Sequence, residues 1–353
     1  MKQTVIGVLG ATGRVGHKVC ECLAEKPYHK LKGGYRNTIP DRSSKKIEWI
    51  FVDVFQRQSL LHFCKGCSVI VNCISGQKEV CMEIAEVSQQ MGIPYIDTYG
   101  TEKLKQEIAL RKWNMTGTYV LGCGAYPGLT GIVMKYLISK YPHVNGWLGM
   151  TGSIEPISAG AAKDLLYSSI EGFGMDHVCI KQGVLQSTGE NIRKIYLSEL
   201  QEEKYIRMFL PNEIASLAKA NAVKELAWYN IIPDMDSMDL MRKCYQKLLQ
   251  GCEVEEEIQN FINVSNRIKE RWNILRMESK GGEKVSVSIS NSSAYDLTGM
   301  VAAFVVDEVA KKEAIGTGIF SAHDIIDGAD IFKKLQKAGI CITETEEKDG
   351  IPV

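Results

Sequence analysis

The sequence predicts an α/β fold in its first third, a doubly wound parallel sheet with helices on both faces, joined to a second domain of the α+β class. Three observations carry that prediction. The stretch Thr4-Val5-Ile6-Gly7-Val8-Leu9 is a short apolar run rich in β-branched residues, and it passes straight into Gly10-Ala11-Thr12-Gly13-Arg14-Val15-Gly16 and a helix-competent segment from Lys18 to Glu25. Through about residue 135, apolar strand-like runs alternate with helical stretches, the pattern of parallel strands joined by crossover helices. Beyond residue 140 that alternation gives way to strands and helices in no regular order, with a hairpin pattern around Lys280-Gly281-Gly282.

At 353 residues the chain is long enough for two domains and a large core. We place a dinucleotide-binding (Rossmann) domain over residues 1–135, an α+β domain for substrate and dimerisation over 136–293, and a helical segment over 294–353 that packs back on the first domain. The 42 basic and 42 acidic residues cancel, and no long block of one sign appears, so neither nucleic acid nor an anionic membrane is an expected partner. Eleven cysteines lie at irregular spacings, no hydrophobic leader is seen, and no apolar run reaches the ~18 residues of a membrane span. Reduced thiols and a cytoplasmic location are the expectation. The sequons at Asn114, Asn263 and Asn291 then carry no meaning.

The first strand, turn and helix have the form of a dinucleotide-binding unit. A pyrophosphate must come within hydrogen-bond distance of backbone N–H groups at a helix N-terminus, where a Cβ obstructs it; glycine at positions 10, 13 and 16 clears the way. The spacing is GxxGxxG rather than GxGxxG, so the context on both sides matters as much as the motif. Thr12, Arg14 and Val15 complete the loop.

The second strand reads as Leu31-Lys32-Gly33-Gly34-Tyr35, ending at Arg36-Asn37. A carboxylate at this strand end holds the ribose of NAD, whereas a 2′-phosphate asks for a cation. Arg36 fits the phosphate, so NADP(H) is expected over NAD(H); a solvated loop arginine is the bland alternative. The third strand, Ile47 to Val54, brings Asp53 and Val54 near the adenine. The fourth, from Ser68, ends in Asn72-Cys73-Ile74-Ser75-Gly76, and Asn72 to Gly76, with Cys73, Ser75 and Gly76 among them, are expected to line the path towards the nicotinamide, because ligands sit outside the carboxyl ends of such strands. The fifth strand is Pro94 to Gly100, and the sixth, Thr118 to Gly124, runs into Ala125-Tyr126-Pro127-Gly128-Leu129-Thr130.

The GATGRVG loop, the strand ending in Tyr35-Arg36-Asn37, the Tyr-Ile-Asp-Thr-Tyr strand end and the Gly-Cys-Gly-Ala-Tyr-Pro-Gly-Leu turn together resemble the saccharopine dehydrogenase (saccharopine reductase) family over about residues 4–135. The C-terminal sixty residues resemble it more loosely, and residues 140–290 match no named member. The resemblance implies an NAD(P)-dependent oxidoreductase acting on the C–N bond of amino-acid conjugates, with relatives that make carboxynorspermidine or homospermidine. It implies a final segment folded back on the nucleotide domain and an active cleft between the domains. It also implies substrate and nicotinamide contacts around Asp97, Tyr99, Tyr126, Pro127 and Gly128, with Cys123 in the same turn.

In such chemistry the cofactor carries the hydride and the protein orients it and handles one proton. Asp97, Tyr99 and Tyr126 are the candidates for that proton, weighed against a helix-capping role for Asp97 and plain packing for Tyr99. Ser153, Lys163, Tyr167 and His177 are weaker candidates for a substrate wall. Three motifs are discounted. Tyr99 and Lys103 match YxxxK, but Tyr99 sits on a strand end rather than inside a helix. Cys64 and Cys67 form one CxxC, which cannot complete a zinc site. Glu253 to Glu257 is a solvated helix start suited to the macrodipole. The second domain is expected to hold strands at 144–154, 183–186, 193–197 and 205–210, helices at 212–219, 237–249 and 253–271, and a hairpin of residues 272–279 and 283–289 with one face packed and one wet. The leading expectation is an NADPH-dependent reductase of an imine or other amino-acid-derived substrate, acting as a homodimer; a non-catalytic NADPH sensor and a carbonyl reductase of another class are the alternatives.

Overall fold

A computed structural model describes residues 4–37, 46–74, 78–100, 102–168, 172–189, 192–281, 283–311, 315–348 and 351–352, and for residues 167–168, 348 and 351–352 it describes the backbone alone. The chain divides into two compact units, Met1–Ile132 with Tyr295–Asp327, and Val133–Ala294 with Gly328–Val353.

The first unit opens with β1 (Thr4–Leu9), α1 (Arg14–Ala24), β2 (His29–Tyr35), β3 (Ile47–Phe51), α2 (Arg57–Cys64), β4 (Val69–Asn72), α3 (Lys78–Met91), β5 (Tyr95–Asp97), α4 (Glu102–Leu110) and β6 (Thr118–Leu121), and α5 (Leu129–Lys140) follows. β1, β4, β5 and β6 are almost wholly buried, which is why they read as continuous apolar runs rather than alternating ones. Helices α2 and α3 cover one face, where Leu60, Phe63, Val80 and Ile84 pack with Leu9, Ile70 and Tyr95.

The chain continues with β7 (Gly146–Ile154), α6 (Ala159–Ser168), β8 (Gly174–Asp176), β9 (Val178–Lys181), β10 (Val184–Ser187), β11 (Arg193–Leu197), β12 (Glu202–Pro211), α7 (Asn212–Ala220), β13 (Glu225–Ile232), α8 (Met235–Leu249), α9 (Glu255–Ser265), β14 (Trp272–Ser279) and β15 (Lys284–Asn291). It ends with α10 (Ala294–Lys311), β16 (Gly318–Ser321), α11 (Ala322–Ile325), α12 (Gly328–Lys337), β17 (Cys341–Lys348) and β18 (Ile351–Pro352). Among the described residues, seven parallel strands of the first unit form a sheet in the order β16-β6-β5-β4-β1-β2-β3. The order reverses between β1 and β4, the switch point of a doubly wound sheet.

The second unit is a mixed sheet whose main path runs β10-β9-β13-β7-β14-β15-β17-β18, with β12 joining β13 and carrying β11 and β8. The β14–β15 pair is the expected hairpin, in register from Asn273 opposite Asn291 to Glu278 opposite Ser286. Val285, Val287 and Ile289 are buried on one face, while Ser286 and Ser288 point to the other and pair in register with Thr345 and Thr343 of β17.

Three expectations need correction. The segment 294–353 does not fold back as one piece: β16 extends the parallel sheet beside β6, but α12 and β17 belong to the second unit, where β17 pairs antiparallel with β15. The segment is also not wholly helical, because Cys341–Lys348 alternates in a way that suits a half-solvated edge region of a sheet. The helix expected over 253–271 stops at Ser265, leaving room for an irregular turn before β14. Strands β8, β9 and β13 were not anticipated; β13 is central, parallel to β7 and bonded to β12 on its other side.

Candidate functional site

The glycine-rich loop connects β1 to α1 at the carboxyl edge of the parallel sheet, beside the switch point. Its three glycines answer to different constraints. Gly10 has φ +75°, and a Cβ there meets the Cys73 carbonyl oxygen at 2.9 Å. Gly16 faces inward, and a Cβ there stands 2.2 Å from the Gly10 carbonyl oxygen. Both positions are dictated by packing within the chain. Gly13 is different: it is the exposed N-cap of α1 in extended backbone (φ −77°, ψ 164°), and its nearest neighbour is the Gly10 carbonyl at 3.3 Å. The turn is closed by Gly13 N–H donating to the Gly10 carbonyl at 2.9 Å and His17 N–H to that of Gly13 at 2.8 Å.

No side chain caps α1, and its first turn holds no acidic residue. The first N–H groups of a helix have no intrahelical acceptor, and the macrodipole makes that end positive, so an uncapped, solvent-facing start is suited to an external anion. Thr12 and Arg14 are exposed beside it, and Val15 is half-buried. The Arg14 guanidinium lies 4.1 Å from the centroid of the Tyr295 ring, a contact from α10 that the sequence did not announce.

Arg36 and Asn37 follow β2 and are exposed. Tyr35 meets Phe51 of β3 edge-on at 6.1 Å. Asp53 lies just past β3, as expected, but its carboxylate is taken up locally: Oδ1 accepts from Phe55 N–H at 3.1 Å and Oδ2 from the Gln56 side chain at 3.2 Å, while its own N–H donates to Ser59 Oγ at 3.0 Å. It shapes the turn into α2, and Val54 is buried beside it.

At the ends of β4 and β5 the structure differs most from expectation. Asn72 does not line an open path; it is fully buried. Its Nδ2 donates to Asp97 Oδ2 at 3.2 Å and to Tyr95 Oη at 3.3 Å, and its Oδ1 accepts from Ile74 N–H at 3.0 Å. Asp97 is equally buried and accepts, in addition, the Tyr95 hydroxyl on Oδ2 and Tyr99 N–H at 2.8 Å on Oδ1, with Gly100 N–H at 3.3 Å. Burial and the adjacent carboxylate push the Tyr95 hydroxyl well above its usual range. Thus Asp97, expected as an acid or base, spends its oxygens on a buried network and on the turn carrying Tyr99. The signal was present: Asn72, Tyr95 and Asp97 are polar residues in otherwise apolar strands, and Asn72 sits in register with Asp97. Tyr99 is half-buried just beyond this turn. Cys73 N–H donates to the Leu9 carbonyl at 3.0 Å, which ties the β4 end to the glycine loop. Ser75 and Gly76 lie outside the described residues.

The turn after β6 is held by its own backbone. Cys123 N–H donates to the Asp97 carbonyl at 2.9 Å, Gly124 N–H to that of Pro127 at 2.9 Å, and Leu129 N–H to that of Gly124 at 2.9 Å. Thr298 Oγ1 of α10 accepts from Ala125 N–H at 3.2 Å. The Tyr126–Pro127 peptide is cis, and Gly128 adopts φ +123° where, in addition, a Cβ would meet the Gly124 carbonyl oxygen at 2.4 Å, so the position requires glycine on both counts. Cys123 is buried and donates its thiol to the Val120 carbonyl; Tyr126 and Pro127 are half-buried at the surface of the turn. The structure therefore brings Asp97 and the Cys123–Gly128 turn together directly.

The weaker candidates lie in the second unit. Ser153 is half-buried on β7 opposite Asn273. Lys163 pairs with Glu255 at 3.5 Å on the surface, and His177 occupies an exposed left-handed position between β8 and β9. The side chain of Tyr167 lies outside the described residues. Tyr99 precedes α4 and Lys103 lies within it, so they do not share a helix face. Burial pushes the Cys64 thiol up to about 12 and that of Cys67 up to about 11, which disfavours redox use, and among the described residues no cysteine is paired and no group of side chains suits a metal. No described helix is long and apolar enough to cross a membrane.

No family model matches this sequence, and a search of curated proteins returns no match. Solved structures do match. DAP dehydrogenase of C. glutamicum, in complex with DAP, aligns over 92% of this chain and 95% of its own with 12% identity and a TM-score of 0.48. Apo saccharopine dehydrogenase (L-Glu forming) from Saccharomyces cerevisiae aligns over 98% of this chain and 100% of its own with 12% identity and a TM-score of 0.69. With its parallel sheet, switch point and second mixed sheet, this chain has the fold of saccharopine dehydrogenase.

Proposed function

We propose that this chain is an NADPH-dependent oxidoreductase that transfers a hydride to or from a carbon–nitrogen centre, an imine or secondary amine, of an amino-acid-derived substrate. The observation that carries the nucleotide half of this reading is the uncapped start of α1 behind Gly13, open to solvent at the sheet's switch point. The fit to the cofactor is good on the chain's own geometry. Gly10, Thr12, Gly13, Arg14, Val15 and Gly16 would hold the pyrophosphate, with only Gly13 offering the bare backbone that the phosphates need. Arg36, with Asn37, would hold the 2′-phosphate: no carboxylate ends β2, and among the described residues the Arg36 guanidinium has no hydrogen bond or ion pair to give up. Val54 and the Asp53 turn would bound the adenine, and Cys73, Pro127 and Gly128 would approach the nicotinamide.

Bound there, the cofactor supplies or accepts the hydride. The chain's own work is orientation and one proton. Tyr99 and Tyr126 are the side chains we assign to the proton, and Asp97, whose oxygens hold Tyr99 N–H and Gly100 N–H, acts as a positioning residue. The likeness in fold to saccharopine dehydrogenase (L-Glu forming) supports the carbon–nitrogen and amino-acid part of the reading. We further propose a homodimer, which sedimentation of the purified chain tests, located in the cytoplasm, which fractionation of cells tests. The decisive experiment is a screen for NADPH oxidation against α-keto acids paired with amino acids, and against cyclic imines. Turnover with any of them is the expected result. Tight NADPH binding with no turnover in the whole screen overturns the enzymatic reading in favour of a sensor.

A further inference from the structure

The second unit contains a cavity of about 230 Å³ that no residue of the nucleotide-binding unit lines. Its floor is apolar, built from Leu148 and Met150 of β7, Ile206 of β12 and Tyr229 of β13. On β14, the side chains that share this face are Trp272 and Ile274, both buried, and then Arg276 and Glu278. Those two charged residues sit in register with Met150 and Leu148, where the pattern calls for more core. Their side chains are only 27% and 32% exposed, so two charges are kept over an apolar floor at a real desolvation cost.

The pairing within the cavity is incomplete in an informative way. Arg276 directs both Nε, at 2.9 Å, and Nη2, at 2.7 Å, to one oxygen of Glu278, Oε2. Among the described residues, Glu278 Oε1 accepts no hydrogen bond. On the other side Arg276 Nη1 donates to Ser198 Oγ at 3.5 Å and is 3.6 Å from Glu199 Oε1, both looser contacts. A second guanidinium, that of Arg193, stands over the Tyr229 ring at 5.1 Å and also lines the cavity, with the exposed ring of Tyr196 beside it.

We infer that this cavity binds the zwitterion of an apolar α-amino acid, the ammonium on Glu278 Oε1, the carboxylate between Arg276 and Arg193, and the side chain on the Leu148, Met150, Ile206 and Tyr229 floor. A lone amine would meet two guanidiniums, and a lone carboxylate would meet Glu278 with Glu199 behind Arg276; a head group carrying both charges offers each sign its opposite. The volume is below the roughly 300–1,000 Å³ of sites for drug-sized ligands, which suits a single amino acid. The inference does not depend on the proposed reductase activity, because the site and its test involve no cofactor.

The test is calorimetric titration of the full chain, without nucleotide, using L-leucine and L-phenylalanine. N-acetyl-L-phenylalanine, L-phenylalanine amide and 3-phenylpropionate serve as probes lacking one charge. The free amino acids are expected to bind, and loss of either charge is expected to weaken binding at least about tenfold. Glu278→Gln, which keeps the shape, and Arg193→Ala, at an exposed position, are each expected to weaken binding by a similar factor while the far-UV circular dichroism spectrum stays that of the original chain. Absence of binding by both amino acids overturns the inference, as does equal binding of the blocked compounds or undiminished binding by both variants.

Discussion

Alanine at Gly16 and at Gly13 is expected to separate two kinds of glycine that look identical in the motif. In a helix, Gly→Ala by itself stabilises by about 1 kcal/mol, so a net loss at Gly16 would have to come from the surroundings. The surroundings provide it: the new Cβ would stand 2.2 Å from the Gly10 carbonyl oxygen and 2.7 Å from its carbon, against ordinary contact from 3.4 Å outward. The obstacle is backbone, held by the Gly13 N–H bond and by the packing of Gly10 on Cys73, so it cannot swing aside as a side chain would. Overpacking of this kind costs about 1–3 kcal/mol or more, which outweighs the propensity gain. Gly16→Ala should therefore lower Tm by several degrees, at about 2–4 °C per kcal/mol. At Gly13 the backbone is extended, which alanine accepts, and the closest atom is 3.3 Å away. Stability should change by less than about 1 kcal/mol there, the difference between glycine and alanine as an N-cap. Its Cβ, however, projects into the space over the helix start, and NADPH affinity should fall at least about tenfold. Thermal unfolding with and without NADPH, together with a fluorescence titration of NADPH, measures both quantities. A Gly16→Ala chain as stable as the original, or a Gly13→Ala chain that binds NADPH unchanged, refutes the reasoning.

Other perturbations follow from the same geometry. Arg36→Glu should weaken NADPH at least about tenfold and leave NADH little changed, read from paired titrations; equal affinity of the original chain for both nucleotides would remove the assignment. Asp97→Ala leaves the Asn72 amide and the Tyr95 hydroxyl without their buried acceptor and should cost about 2–4 kcal/mol in urea unfolding, whereas Tyr99→Phe should cost under about 1 kcal/mol and act on turnover alone. The third case concerns pH. Burial pushes the Asp307 carboxyl up, but hydrogen bonds from His29 at 3.0 Å, Lys311 at 2.6 Å and Tyr28 at 3.0 Å override it and hold the group well below the usual carboxylate range. A depressed carboxyl stabilises the fold above its unfolded pKa of about 4, and that contribution is lost as pH falls below about 4 towards the folded value. Asp307→Asn should accordingly cost most at neutral pH and progressively less in acid; a cost independent of pH in urea melts sinks this account.

Much of the first unit was legible because its determinants are local. The β1 run, the turn glycines and the start of α1 are set by residues within a few positions of one another, and a fully buried parallel strand announces itself as an unbroken apolar run. The same rule leaves β13 unassigned. Leu226-Ala227-Trp228-Tyr229 is also an unbroken buried run, but between two helices it cannot be told from a buried helix by periodicity, and only its pairing with β7 and β12 makes it a strand. The tail was misjudged for a related reason. Cys341–Lys348 is charged and alternating, and its partner β15 lies some fifty residues upstream in the chain, so nothing near it in sequence specifies which sheet it joins.

By itself the sequence determined the phosphate loop, the strand-end positions of Arg36, Asp53, Asp97 and the Tyr126-Pro127-Gly128 turn, and the hairpin of the second sheet, because backbone chemistry and side-chain period act over short spans. Only the tertiary structure decided which of those side chains keep their polar atoms for a ligand. Asp53 spends its carboxylate on a turn, and Asp97 spends its own on Asn72 and Tyr95, buried where an unpaired carboxylate would be too costly. It also decided that Gly16 serves the carbonyl of Gly10, whereas Gly13 alone leaves the helix start bare. Hydrogen-bond capacity is finite, and where it is consumed depends on neighbours that the fold, not the chain order, supplies.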